Sequence, residues 1–277
     1  DPVTSLSGLE SFTSLDYISI NQLQATDLSA LASLTKLTNL ALYDVIATDF
    51  SSLSSLTGLK QLRIGGNNFD NDAATILQDL PQLEELLLDS ENLTSLPDTF
   101  GSSTLSDVTI NAPITSLGGL SKAKALLYLK IESDGLGSLP STLDWPMLET
   151  LRLFDISIDD VSFVQGFPNL TSLEIARSTL SSIDAIAQLH GLTSLSLYDN
   201  NIDDIGALAS LTSLVKLNIA FNPITDFSAI AGLVNLKELD AGTYFAGNIH
   251  SWAELKEIST LESLTLYGVS ASAIPYI

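Results

Sequence analysis

Apolar residues recur along this chain in a fixed frame. The segment Leu192-Thr-Ser-Leu195-Ser-Leu197-Tyr-Asp-Asn200-Asn-Ile202-Asp-Asp-Ile205 lies over Leu214-Val-Lys-Leu217-Asn-Ile219-Ala-Phe-Asn222-Pro-Ile224-Thr-Asp-Phe227 with every apolar position retained. The shared pattern is L-x-x-L-x-L-x-x-N-x-I-x-D-I. Counted from its leading leucine, copies begin at Leu15, Leu37, Leu59, Leu83, Leu105, Leu126, Leu148, Leu170, Leu192, Leu214, Leu236 and Leu261, and eight of the eleven intervals are 22 residues. A period held that closely makes the repeat the unit to be explained.

Within one copy, Leu195 and Leu197 alternate with Ser194, Ser196 and Tyr198, which predicts a short strand with one apolar face. Such a strand cannot bury that face alone. Ile202, Ile205 and Leu208 must return on the far side of the coil to meet it, through a turn and a short helical or extended segment. Stacked coils then share one core, and parallel strands about 4.8 Å apart should line an inner face about 50 to 60 Å long. The 24-residue interval holds Asp72-Ala-Ala-Thr-Ile-Leu-Gln-Asp-Leu80 and the 25-residue interval holds Trp252-Ala-Glu-Leu-Lys-Glu-Ile258, so each is expected to carry a helical turn on the outer face. No Gly/Ser-rich or proline-rich linker interrupts the array, which predicts a single domain of about twelve repeats over residues 1–277. Neither end shows a polar cap: Val3, Leu6, Leu9 and Phe12 open inside a partial coil, and Ala273-Ile274-Pro275-Tyr276-Ile277 closes inside another. A piece of a longer chain, or an end covered by another chain, is the expectation.

With this period and the N-x-I-x-D-I run, the chain resembles the leucine-rich repeat family, and most of all the internalin-type repeats of bacterial surface proteins, over residues 3–277. Leu93-Thr-Ser-Leu96-Pro97-Asp-Thr-Phe100 and Leu136-Gly-Ser-Leu139-Pro140 are similar to the Leu-Pro variant of that repeat. The resemblance implies a right-handed α/β solenoid, with a parallel β-sheet on the concave face and short helical or extended segments on the convex face. It also implies a secreted or surface-anchored protein without enzymatic activity, whose concave face binds a protein or glycan on a cell surface. Repeat subunits that regulate protein phosphatases share the 22-residue period, so the alternative implied is a cytoplasmic scaffold for a partner enzyme.

Asparagine at the ninth position, in Asn67, Asn200 and Asn222, is expected to hydrogen-bond backbone groups at the turn. Elsewhere that position holds Leu23, Val45, Glu91, Pro113, Asp134, Ile156, Ser178, Tyr244 and Val269, which predicts less uniform turns.

Composition narrows the partners. Acidic residues outnumber basic ones 33 to 11, for a net charge of -22, which opposes nucleic acid and anionic membrane surfaces. The absence of cysteine removes disulfides, thiolate metal sites and cysteine nucleophiles. No apolar run is long enough to insert into a membrane. Few candidates for chemistry remain. His190 and His250 fall at outer-face or insertion positions without a plausible partner for acid–base work. The acidic pairs Asp159-Asp160 and Asp203-Asp204 read as solvated turns, and the recurrent aspartates Asp49, Asp160, Asp204 and Asp226 as backbone supports. Asn67-Asn68-Phe69-Asp70-Asn71-Asp72 offers hard oxygens but lacks the glycine and distal glutamate of a calcium loop. The sequons at Asn92 and Asn169 are weak, because the register sends Leu93 and Leu170 into the core. No cofactor or metal is implied.

The inner face is more specific. Positions three, five, seven and eight collect Tyr17, Tyr43, Arg63, Tyr128, Lys130, Glu132, Arg152, Phe154, Asp155, Glu174, Arg177, Tyr198, Asp199, Lys216, Phe221, Tyr267 and Gly268, including all three arginines of the chain. The seventh-position row Phe154, Ala176, Tyr198, Ala220 alternates large and small, which predicts room for a ligand between the rings. Tyrosine and arginine supply rigid contact area and forked hydrogen bonds at interfaces. Tyr128, Lys130, Arg152, Phe154, Asp155, Glu174, Arg177, Tyr198, Asp199 and Phe221 are therefore the candidate ligand-binding residues. The competing reading has Arg152 and Glu174 merely pairing across strands, with the rings filling sheet.

Overall fold

A computed structural model describes residues 1–98, 100, 103–137, 139, 142–242 and 258–266. The chain packs as two compact units, Asp1–Gly137 with Asp144–Pro146, and Ser138–Leu143 with Met147–Ile277. Each repeat begins a strand at position three, where a polar side chain faces out and the next leucine faces in. In the first unit the strands are β1 (Tyr17–Ile20), β2 (Asn39–Leu42), β3 (Gln61–Gly65), β4 (Glu85–Asp89), β5 (Asp107–Asn111) and β6 (Tyr128–Glu132). Each pairs in parallel with the next. The second unit repeats the arrangement with β7 (Thr150–Phe154), β8 (Ser172–Ala176), β9 (Ser194–Ser196), β10 (Lys216–Asn218), β11 (Glu238–Asp240) and β12 (Ser263–Thr265). The register matches equivalent positions, so Leu195, Leu217, Leu239 and Leu264 stand side by side.

The return side is built from 3₁₀ turns, not α-helix. Ser29–Ser33, Ser51–Ser55, Ser162–Gly166, Asp184–Gln188, Gly206–Ser210 and Ser228–Gly232 each span five residues. So short a segment closes few i→i+4 bonds, whereas the longer rise of a 3₁₀ turn carries the chain back across the coil. Leu31, Leu53, Ile186, Leu208 and Ile230 point from these turns into the core. The longer interval behaves as expected, with a seven-residue 3₁₀ helix over Ala73–Asp79. Its counterpart at Trp252–Ile258 lies, but for Ile258, outside the described residues, as do His250, Tyr244, Tyr267, Gly268, Val269 and residues 273–277.

A recurrent aspartate starts five of these six turns. Oδ1 of Asp27, Asp49, Asp160, Asp204 and Asp226 accepts the backbone N–H two residues on, at 2.7–2.9 Å. Among these, the hydroxyl and amide of Ser29 and of Ser51 hold Asp27 and Asp49 below the ordinary carboxylate value, and the amide and hydroxyl of Ser162 and of Ser228 do the same for Asp160 and Asp226. These aspartates are structural, as the sequence reading has them.

The turn after each strand comes in two forms, and the eighth position decides which. Gln22, Asp44, Asp155, Arg177, Asp199 and Phe221 occupy it in the left-handed region, with φ between 52° and 60°. Leu23, Val45, Ile156, Asn200 and Asn222 follow them and are buried. In the other form Ser90, Ala112 and Ser133 are themselves buried at position eight, and Glu91 and Asp134 after them are exposed. Gly66 belongs with this second group: its φ is 153°, and a Cβ there would stand 2.7 Å from the Val45 carbonyl oxygen. Asn67, which follows it, is exposed.

The three asparagines consequently divide. Asn222 Nδ2 donates to the Leu197 and Ile219 carbonyls at 2.7 and 3.1 Å, and its Oδ1 accepts the Ile202 amide at 3.0 Å. Asn200 donates in the same way to Ile175 and Leu197. Asn67 instead bonds the amide and carboxylate of Glu91 in the next coil.

Two outcomes test this account. Asn222→Ala should cost at least about 1–3 kcal/mol in urea unfolding, since it strands buried carbonyls and an amide, whereas Asn67→Ala should change stability by less than about 0.5 kcal/mol. The depressed aspartates stabilise the fold fully above their unfolded value, and that contribution is lost as pH falls through the lower folded value. Asp49→Ala with Asp226→Ala should therefore lower Tm at about pH 7, with the gap to wild type closing towards about pH 2; a constant gap would remove the aspartate role.

Candidate ligand-binding face

Eight of the ten candidate residues lie in the second unit. On β7 and β8, Arg152 and Glu174 are register partners, and Arg152 Nε donates to Glu174 Oε2 at 2.6 Å. Three positions further along, Arg177 Nε and Nη2 donate to Oδ1 and Oδ2 of Asp155 at 2.9 and 2.7 Å, a forked pair between neighbouring turns. Phe154 lies beneath both guanidinium groups, with Arg152 Cζ 5.4 Å and Arg177 Cζ 5.1 Å from its ring centroid. These distances fall in the range of cation–π contact. The cross-strand pairing weighed above is present, and it forms part of a five-residue stack.

The gaps expected between the rings are filled by the chain itself. Phe154 is only 7% exposed, and Ala176 and Ala220 are covered to 2% and 0%. The reason is the left-handed eighth position, which leans its side chain back over the preceding repeat. Arg177 thus reaches Phe154 and Asp155, and Phe221 reaches Tyr198, meeting it edge-on with ring centroids 5.1 Å apart. A left-handed Phe or Arg costs roughly 1–2 kcal/mol of backbone strain, so these side chains are held in place against that strain. Tyr198, Asp199 and Phe221 remain half-exposed. The surface on offer is consequently two guanidinium groups over a buried ring, with a half-exposed aromatic edge beside them.

Tyr128 and Lys130 lie on β6 of the first unit, where Lys130 Nζ meets Glu132 Oε2 at 3.3 Å. Arg63, the third arginine, stands 3.5 Å from Glu85. Sequence reading passed over a shallow groove of about 270 Å³ in the second unit, lined by Ser194, Ser196, Lys216, Asn218, Glu238, Asp240, Ser263 and Thr265 together with Leu195, Leu217 and Leu239. Its signal was present in the small polar residues of rows three and five, which large side chains overshadowed.

The remaining candidates for chemistry are committed elsewhere. Asn71 Oδ1 accepts the Thr94 and Ser95 amides, and Asp70 Oδ1 the Ala73 amide, so the oxygen-rich loop supports backbone. Leu93 and Leu170, inside the two sequons, are buried. His190 is exposed. Among the described residues no cluster of three metal-ligating side chains occurs, and no helix is long and apolar enough to cross a membrane.

The two-copy leucine-rich repeat family model matches residues 190–232, the coils that carry Tyr198 and Phe221. Internalin InlF of Listeria monocytogenes shares the fold at a TM-score of 0.77 and 26% identity, over 97% of this chain and 79% of that one. The fold is that of an internalin-like leucine-rich repeat array. The functional domain of InlJ from the same organism matches at 0.74 and 20% identity, over 94% of this chain and 55% of that one. TLR13, in complex with ssRNA13, matches at 0.75 and 21% identity over 97% of this chain and 42% of that one. No curated protein sequence matches. Internalin-like repeats are a protein-interaction fold, generally without enzymatic activity, but a fold shared with an RNA-bound receptor does not name a ligand.

The stack on Phe154 makes a prediction. A double-mutant cycle between Phe154→Leu and Arg177→Ala, read by urea unfolding, should give a coupling of about 0.5–1 kcal/mol. Additive effects would mean that Arg177 merely overhangs the ring.

Proposed function

We propose that this internalin-like protein is a non-enzymatic recognition module, secreted or displayed on a bacterial cell surface, that binds a protein or glycan of another cell surface. The observation carrying this reading is the second unit's outward face. There, rare arginines are pre-ordered by carboxylates and an aromatic floor, next to the half-exposed Tyr198 and Phe221 pair. Pre-ordering lowers the entropy lost on binding, and arginine and tyrosine at the centre of a contact contribute most of its energy. The strain at Arg177 and Phe221 supports the same reading, since strained residues persist where their placement is used. Phe154 acts as the floor on which the guanidinium groups rest, so its contribution to a ligand passes through Arg152 and Arg177.

The test is a panel of purified cell-surface proteins and glycans presented to the intact chain. A binder should lose at least about tenfold in affinity, about 1.4 kcal/mol, on Tyr198→Ala with Phe221→Ala, and again on Arg152→Ala, with the circular dichroism unchanged. Affinity indifferent to all three substitutions would place the contact elsewhere.

A further inference from the structure

The first unit keeps open a gap of the kind that the second unit closes. In the second unit Ala176 and Ala220, at position seven, are 2% and 0% exposed, where Arg177 and Phe221 at position eight fold back over the strand face. In the first unit position seven runs Tyr43, Gly65 and Asp89 through three successive coils, and Gly66 after Gly65 has no side chain to fold back. Gly65 is consequently half-exposed, and a notch of about 490 Å³ opens beside the two glycines, inside the range of about 300–1,000 Å³ for small-ligand sites. The surroundings hold it to glycine. A Cβ on Gly66 would stand 2.7 Å from the Val45 carbonyl oxygen, and one on Gly65 would stand 3.3 Å from Tyr43 Cδ1. The Tyr43 ring and Ile46, itself 39% exposed, give the notch an apolar wall.

We infer that this notch takes the cationic side chain, arginine or lysine, of a protein partner. Tyr43 and Ile46 offer apolar surface to the methylene stem, and the aromatic ring attracts the charged head. Carboxylates stand in the coils on either side of the glycines, Asp44 in one and Asp89 in the other. Among the described residues no cation lies within 4.0 Å of either carboxylate, and Arg63, two residues before Gly65, is engaged with Glu85 at 3.5 Å. Charge selects the occupant. On a chain with a net charge of -22, a guanidinium or ammonium group is drawn in and an acidic group is repelled. A metal ion is a poorer match, since calcium takes about six to eight oxygen ligands, and among the described residues no three acidic or histidine side chains converge to hold one.

This site rests on the recognition reading and narrows the partner to a protein that presents a basic side chain. The experiment is NMR titration of the isotopically labelled intact chain with the capped pentapeptides GGRGG and GGKGG, their citrulline and acetyl-lysine counterparts, methyl glucosaminide and calcium chloride. At least one cationic peptide should shift the Gly65 and Gly66 amide signals, in the millimolar range or tighter, while the uncharged counterparts and calcium leave them in place. Asp44→Asn suits the left-handed backbone at that position, and Asp89→Asn keeps an oxygen for the Asn111 amide. Each should weaken the peptide about two- to fivefold, and Gly65→Leu, which fills the notch, should abolish binding. Shifts scattered over the surface without the two glycines, equal shifts by the uncharged peptides, a response to calcium or glucosaminide in place of the peptides, or affinity indifferent to both asparagine variants would overturn the site. If the peptides fail while Tyr198→Ala with Phe221→Ala still abolishes capture of a purified surface protein, only the notch falls. If the peptides bind as expected while the intact chain captures no purified surface protein or glycan, it is the recognition reading that falls.

Discussion

A strand of three to five residues has one apolar face and nothing of its own to cover it. In this protein that face is covered twice, by the returning 3₁₀ turn of the same coil and by the equivalent leucines of the coils on either side. Leu195, Leu217 and Leu239 are buried because each lies between like neighbours, and burial of a leucine is worth about 1.5–3 kcal/mol. Everything polar is arranged around that shared interior. The aspartate that starts the return turn, the asparagine that satisfies turn carbonyls, and the glycine at position 66 each solve a backbone problem created by keeping the leucines aligned.

The turn after the strand shows how a local choice becomes a surface. A left-handed eighth residue sends the ninth side chain into the core, or half-way in at Ser178, and at Arg177 and Phe221 turns its own side chain back over the preceding repeat. Where Ser, Ala or Gly stands at position eight, the chain takes the other form and no large side chain is thrown onto the strand face. The stack on Phe154 and the Tyr198–Phe221 edge both depend on the first form. Backbone conformation thus decides which residues stand out on the strand face.

The repeat, the parallel strands, the buried leucines and the supporting aspartates were legible from spacing, because period-two alternation and a fixed 22-residue return leave few other ways to bury the apolar face. The 3₁₀ character of the turns was not, since five residues with one buried position suit several short conformations. Filling of the gaps beside Phe154 escaped the sequence for a different reason. It follows from the sign of φ at Arg177 and Phe221, two residues that seldom adopt it, although Asp44, Asp155 and Asp199 at the same position were a hint. Asn67 looked equivalent to Asn222 and is not, because the glycine before it selects the other turn.

The central claim is that the marked leucines form a common interior on which the working face is mounted. Leu195→Ala, followed by urea denaturation, tests it most directly. The account predicts a loss of about 2–5 kcal/mol. A loss under about 0.5 kcal/mol, the size expected for an exposed position, would contradict the register and, with it, the placement of every residue on the strand face.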